Sequence, residues 1–171
     1  MAYRPIVIQG VTYTLSHLNP FVMDVTPTTP GAPTYKVHVS FGPHTFSREW
    51  LVTDTPDYRV QEQNGDLRCF CTTRHGLSAH LPGMIQASAQ GKAHFSLKDN
   101  YLVFRNVPGC TGPYTAFFSL KKARNTQYDA VMFIQSAYEK PALPKNLQSI
   151  GMPTLVSKVV RGEAIRRPRR R

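Results

Sequence analysis

The chain contains 171 residues, of which 41% are hydrophobic, and it carries a formal charge of +11. This length suits one domain with its own apolar core, and no stretch has the roughly 20 consecutive apolar residues of a membrane-spanning helix or the shorter apolar run of a secretory signal. The odd set of cysteines, Cys69, Cys71 and Cys110, is a poor basis for a disulfide framework, so we expect a soluble, cytoplasmic protein that does not contact the membrane.

Strands and turns are predicted for the first part of the chain. Residues 6–9 and 11–15 flank a glycine and predict a β-hairpin. Residues 24–34 hold three prolines, which lack the amide donors of a strand ladder, and therefore predict a loop. Residues 35–41 alternate apolar and polar side chains and predict a strand, which we expect Gly42 and Pro43 to end.

The middle of the chain predicts a strand followed by a helix. Residues 67–73 have the composition of a strand, and the pattern after them changes to helical spacing. Pro82 suits the first turn of a helix and Gly91 is placed to end it. We therefore expect a short helix over about 81–90.

The last predicted strands form an antiparallel meander. They cover residues 93–97 or 100–105, then 114–120, then 130–138, and short turn-like segments connect them. The predicted fold class is α+β, a mainly antiparallel sheet with one short helix, in a single domain over residues 1–140. Residues 141–171 are expected to form an extension with a flexible basic tail.

Basic residues are unevenly distributed along the chain. Residues 158–171 carry seven basic residues against Glu163, a net +6, which leaves +5 on residues 1–157. A body that is basic even without its tail is typical of proteins that contact phosphate. The predicted nucleic-acid-binding residues are the connector Lys121, Lys122 and Arg124 and the tail residues Arg166, Arg167, Arg169, Arg170 and Arg171. The alternative for both groups is a solvated charged surface.

His44 is the first candidate for catalysis. It follows Gly42 and Pro43 at a predicted strand end, where side chains often face a ligand. An imidazole there can act as a general base near neutral pH. The alternative is a surface or hydrogen-bonded structural histidine.

The second candidate is the segment RCFCTTRHGLS, residues 68–78. Its cationic side chains, Arg68 and Arg74, together with His75, suit the stabilisation of a pentacoordinate phosphate. The alternative is solvated arginines beside small core cysteines. His44, Cys69, Cys71 and His75 are also zinc ligands by type, but the spacing fits no common zinc frame, so we predict no metal and no cofactor.

The third candidate is the segment FIQSAY, residues 133–138. In a regular strand Ile134, Ser136 and Tyr138 share a face, which begins apolar and ends in two hydroxyl groups. Tyr138 could stack on a base or donate to phosphate. The alternative is a buried tyrosine.

The order of a helix and then a meander, with basic and hydroxyl residues on the late strands, resembles the superfamily of barnase-like, EndoU-like and RelE-like ribonuclease toxins. His44, Arg68, Arg74, Ser136 and Tyr138 carry this resemblance, which covers about residues 68–138. The phrases HTFS, RCFC and FIQSAY also resemble uncharacterised short proteins of bacterial prophages and mobile elements. A long β-rich N-terminal portion stands where the toxins usually have a pair of helices.

The resemblance implies metal-independent RNA cleavage, in which a base deprotonates the ribose 2′-OH and cations stabilise the transition state. It also implies an inhibitory protein partner. His44 or His75 would be the base, Arg68 and Arg74 the phosphate clamp, and Ser136 with Tyr138 would orient the substrate. The competing hypothesis is a nucleic-acid-binding protein without catalysis. Convergence of these side chains around one cleft favours the enzyme.

Overall fold

The computed structural model describes residues 3–61, 66–95, 100–124 and 127–165. The fold is α+β and mostly strands, as the sequence predicts. The strands are β1 (Ile6–Ile8), β2 (Val11–Tyr13), β3 (Phe21–Val25), β4 (Tyr35–His44), β5 (Ser47–Glu49), β6 (Arg59–Gln61), β7 (Leu67–Phe70), β8 (Lys92–Phe95), β9 (Asn100–Phe104), β10 (Tyr114–Lys122), β11 (Ala130–Glu139) and β12 (Ser149–Gly151). The α-helices are α1 (Thr72–Ser78), α2 (Leu81–Ala87) and α3 (Met152–Arg161).

The main sheet has seven strands in the order β12-β8-β9-β10-β11-β4-β3. Neighbouring strands in this sheet are antiparallel, except that β11 and β4 are parallel. The predicted meander is therefore confirmed for β8 to β11. Helix α3 contacts β3 near one end of the sheet, β12 at the other end, and β10 between them. The sheet is a curled half-barrel, and α3 fills its inner side.

Along the strands of this sheet, side chains alternate between a face that packs into the core and a face that does not. On β4, Val37, Val39 and Phe41 are buried while Lys36 is exposed. On β10, Ala116 and Phe118 are buried while Phe117 is half-buried. We call the face opposite the core, which carries Lys36 and Phe117, the outer face.

A register shift changes the predicted face of the last strand. On β11, Met132 and Ile134 are buried, but the next buried residue is Ala137, because the pairing shifts between Ile134 and Ser136. Such a bulge inserts one residue and reverses the alternation beyond it. Ser136 and Tyr138 therefore lie on the outer face, and the prediction that they share a face with Ile134 is wrong.

Two predicted strand ends are also wrong. The strand predicted over 35–41 continues through Gly42 and Pro43 to His44, since this part of β4 pairs with the bulged segment of β11. The strand predicted over 67–73 ends at Phe70, and helix α1 begins at Thr72. The predicted helix over 81–90 is present as α2 followed by a 3-10 turn.

Part of the predicted C-terminal extension lies in the core. Met152, Leu155 and Val156 of α3 are fully buried, and β12 pairs with β8. Their spacing places one helix face against the sheet, so residues 149–161 pack with the main sheet. The tail residues Arg166, Arg167, Arg169, Arg170 and Arg171 lie outside the described residues.

Two smaller sheets complete the fold. β1 and β2 form the predicted hairpin, with positive φ at Gln9 and Gly10 in its turn, as tight two-residue hairpins require. β5, β7 and β6 form a three-stranded sheet in that order. No helix in the described ranges is long and apolar enough to cross a membrane.

Candidate nucleic-acid interface

The outer face of the main sheet carries one row of residues that are in register across six strands. Successive members are direct partners on neighbouring strands. The row is Ser149, His94, Tyr101, Phe117, Ser136 and His44. Direct cross-strand partners have Cβ atoms roughly 5 Å apart, so this register brings two residues predicted for the site, His44 and Ser136, next to each other.

Aromatic rings in and beside this row lie against one another, two pairs tilted and one pair stacked. The ring centres of His94 and Tyr101 are 5.5 Å apart, as are those of Tyr101 and Phe117. Tyr138, from the neighbouring row, stacks on Phe117 at 5.4 Å with an interplanar angle of 23°. Rings this close shield one another from solvent, and Tyr101, which contacts a ring on each side, is buried.

Two cations lie over one end of the stack. The guanidinium carbon of Arg74 is 5.2 Å from the ring centre of Tyr138. The Nζ atom of Lys140 is 5.0 Å from the ring centre of Phe117 and 5.9 Å from that of Tyr138. These distances are within the range of cation–π attraction. Positive charge is therefore concentrated beside aromatic rings, an arrangement that suits nucleotides.

Arg74 and Arg68 converge on Ser47. Nη1 of Arg74 donates hydrogen bonds to the carbonyl oxygens of Ser47, at 2.8 Å, and His44, at 3.2 Å. Arg68 donates from Nε to Oγ of Ser47 at 2.9 Å and from Nη2 to its carbonyl oxygen at 3.3 Å. These bonds fix both guanidinium groups to the turn between β4 and β5. The structure thus brings together His44, Arg68, Arg74 and Tyr138, with Ser136 beside them.

His75 is bound to different partners. Its Nε2 donates to the carbonyl oxygen of Thr14 at 2.8 Å, and its ring contacts Tyr13 and Phe70 edge-on or tilted. The ring of His17 lies 5.5 Å away. These contacts attach α1 to the N-terminal hairpin, so His75 is not part of the cluster around Ser47.

His17 connects to the same helix through Ser78. The hydroxyl of Ser78 donates to the carbonyl oxygen of His75 at 2.7 Å, so it accepts from Nε2 of His17 at 2.7 Å. Burial, followed by the nearby His75, lowers the pKa of His17. The neutral imidazole is therefore favoured in this position.

The carboxylate of Glu139, which precedes Lys140 in the chain, is hydrogen-bonded to the loop before β10. Oε1 of Glu139 accepts hydrogen bonds from the amide and hydroxyl of Thr111, at 2.7 and 2.8 Å, and from the amide of Gly112. These bonds, that of Gly112 first, lower the pKa of Glu139. The amide of Lys140 donates to Pro113 at 2.9 Å, so the same loop fixes the backbone that carries the cation.

The basic connector lies at the far end of β10. Lys121, Lys122 and Arg124 are exposed, and Lys121 is the cross-strand partner of Val131 on the outer face. Phe133, one row nearer to Phe117, is 39% exposed. The outer face therefore carries a second, open region of aromatic and basic side chains, apart from the cluster around Ser47.

The geometry of the described residues does not support the alternative of a zinc site. Within the described ranges, no group of three His, Cys, Asp or Glu side chains could hold a metal ion. Cys69 and Cys71 are thiols, and Sγ of Cys69 lies 3.4 Å from the carbonyl oxygen of Phe70. Burial is the largest influence on Cys69 and raises the pKa of its thiol.

Sequence reasoning missed four members of this interface, namely His94, Tyr101, Phe117 and Lys140. Their alternation along predicted strands marks which residues share a face, but the cross-strand register that aligns them depends on loop geometry. The dipeptide Glu139-Lys140 stands at the end of a predicted strand. That position is the one local signal that could have identified Lys140.

A family model described as the YjaZ family matches residues 5–160. The match covers every helix and strand of the fold apart from the last residue of α3. No curated protein and no solved structure matches the chain.

Proposed function

The chain belongs to the YjaZ family, and we propose that it binds nucleic acid, with RNA favoured over DNA, on the outer face of its sheet. The family description carries no function, so the proposal rests on the chemistry of this chain. It places the protein in the cytoplasm, where RNA is present.

The observation that carries the proposal is the placement of Arg74 and Lys140 over the rings of Tyr138 and Phe117. Cations attract the phosphate backbone, and aromatic groups provide contact area for bases and sugars. In the part of the chain that the structure describes, Lys140 makes no salt bridge. Its charge is therefore not neutralised by a described carboxylate.

A titration with labelled RNA tests the proposal. Lys140→Gln removes the charge over the rings and should weaken binding and reduce the slope of log affinity against log salt by about 0.7. Arg59→Gln is the control, since it removes one exposed charge from the three-stranded sheet. Equal losses in both variants would mean that binding follows net charge, and the outer face would no longer be the interface.

RNA cleavage is the second candidate function. It is favoured by His44, which is the direct partner of Ser136 and whose carbonyl is bonded to Arg74. In this mechanism His44 would take the proton of the ribose 2′-OH, and the 2′-oxygen would bond to the adjacent phosphorus as the bond from phosphorus to the 5′-oxygen breaks. The leaving 5′-oxygen would take a proton from the protonated His44 or from water, and Arg74 would stabilise the charged phosphate. Arg68 would act beside Arg74, since both guanidinium groups are held at Ser47. An enzyme of this kind would require an inhibitory protein partner in its own cell.

Cleavage of a fluorogenic RNA separates the two candidate functions. If the protein is a ribonuclease, His44→Ala should abolish cleavage and retain RNA binding. His75→Ala should leave cleavage per folded molecule unchanged, since His75 lies with Thr14 and Tyr13. Binding without cleavage by the unaltered protein would leave RNA binding as the function.

A further inference from the structure

Phe133 occupies an unusual position for an exposed ring. It lies on β11, which is hydrogen-bonded on both sides, by β10 and by β4, and its side chain is 39% exposed on the outer face. Single exposed apolar residues are common on protein surfaces. What distinguishes Phe133 is the arrangement of the residues around it.

The neighbours of Phe133 leave the ring uncovered. Its direct partners are Ser119 on β10 and Ser40 on β4, and a serine is too short to cover a phenyl ring. A Cβ atom built on Gly42 would lie 2.9 Å from Cζ of Phe133. The ring therefore extends along the sheet over the glycine, and part of it is open to solvent.

Positive charge and a second ring pair lie one row away. Lys121 and His38 are the cross-strand partners of Val131, two residues from Phe133 and so about 7 Å along the strand. The ring of His38 is 4.8 Å from that of Tyr128.

Acidic groups do not cancel the charge of this region. Arg124 extends the positive charge beyond Lys121 and is exposed. Among the described residues, the carboxylates in the region are Asp24, which is the cross-strand partner of Lys36, and Asp129, whose Oδ2 accepts from the amide of Lys36 at 2.7 Å. The basic residues Lys36, Lys121 and Arg124 outnumber these two acids.

We propose that this open region binds single-stranded RNA, with an unpaired base stacked on Phe133 and the adjacent phosphates held by Lys121 and Arg124. The proposal rests on the proposed RNA-binding function and names its substrate class. In a duplex the base faces are covered by neighbouring bases, so only a single strand can present a face to a ring lying on a sheet. Ser40 and Ser119, the cross-strand partners of Phe133, add polar side chains to this region.

The test compares a labelled oligouridylate with an RNA duplex of equal length. Phe133→Ala should weaken single-strand binding about 5- to 150-fold, which is the effect of losing one base–ring stack, and leave duplex binding unchanged. Phe133→Trp should restore single-strand affinity, and Phe133→Leu should not. Leu51→Ala, which truncates an exposed apolar residue in a loop away from the main sheet's strands, is the matched control and should bind like the unaltered protein.

The outcomes separate this inference from the function on which it rests. Unchanged single-strand affinity in Phe133→Ala, or full affinity in Phe133→Leu, overturns the stacking site even if the protein still binds RNA. Equal losses for single strand and duplex also overturn it. An unaltered protein that binds neither RNA at low salt overturns the proposed function as well, and would direct attention to a protein partner for this face. If Phe133→Ala does not fold, the single-strand affinities of Phe133→Leu and Phe133→Trp test the stacking site.

Discussion

Arg74 and Tyr138 lie against each other, with the guanidinium carbon 5.2 Å from the ring centre, although 64 positions separate them in the chain. The same guanidinium is bonded to the carbonyl oxygens of His44 and Ser47. One side chain of helix α1 therefore connects the last strand of the meander with the turn between β4 and β5. This contact assembles the candidate interface from distant segments.

Arg68 and Arg74 should be coupled in stability, because both donate to the carbonyl oxygen of Ser47. Replacing either by Met keeps much of the apolar stem, and each replacement should lower the free energy of unfolding by about 1–3 kcal/mol. The double variant should lose more than the sum, by about 0.5–3 kcal/mol, because the carbonyl then has neither guanidinium. Urea denaturation of the four proteins measures this cycle. Strict additivity would show that the two arginines do not share an acceptor.

Acidification should destabilise the attachment of the N-terminal hairpin to α1. The pKa of His17 is lowered from 6.5, first by burial and then by His75, so the unfolded chain takes up a proton more readily than the folded one. Stability contributed by neutral His17 is therefore present above about pH 6.5 and is lost as the pH falls below it. The pKa of His94 is lowered as well, mainly by burial, and adds to the same trend.

His17→Gln keeps a donor for Ser78 and removes the titrating group. The urea midpoint of this variant should change less between about pH 7.5 and pH 5 than that of the unaltered protein, with the remaining change due to His94. His80→Gln is the control, because His80 is exposed. A His17→Gln curve that falls as steeply as the original would contradict the assignment.

Neighbouring residues of β11 should respond differently to truncation. Ile134 is fully buried whereas Phe133 is 39% exposed. Ile134→Ala should cost about 2–5 kcal/mol, because a cavity remains in the core. Phe133→Ala should cost clearly less than Ile134→Ala, because solvent replaces the ring. Comparable losses in urea denaturation would place Phe133 in a covered environment and contradict the open outer face.

The sequence predicts most strands because their alternation directly reflects burial. Residues 35–41 show this on β4, where alternate side chains are buried. The bulge at Ile134 and Ser136 leaves no such signal, since an inserted residue changes the pairing and not the composition. For this reason the outer-face position of Tyr138 could not be predicted from the pattern of β11.

The helices could also be predicted only in part from the sequence. In α1 only Leu77 and Ser78 are buried over seven residues, and Gly76 weakens the local preference for helix, so no apolar period is visible. Helix α3 did carry signals, with Pro153 in its first turn and Gly162 at its end with φ of 72°. The run of arginines that follows α3 indicated a flexible extension, whereas Leu155 and Val156 are buried in the core of the fold.

The contribution of the arginine tail can be separated from that of the folded body. Because α3 extends to Arg161, a truncation must spare it, and deletion of residues 166–171 removes five arginines and no acid. The remaining chain keeps a formal charge of +6, so it should still bind RNA, but more weakly. The slope of log affinity against log salt should fall by about 0.7 for each tail arginine that contacts phosphate. Replacing the five arginines with lysines is the control and should retain most of the slope. A truncated protein with an unchanged melting temperature but no measurable affinity at low salt would show that the tail, and not the outer face, binds the nucleic acid.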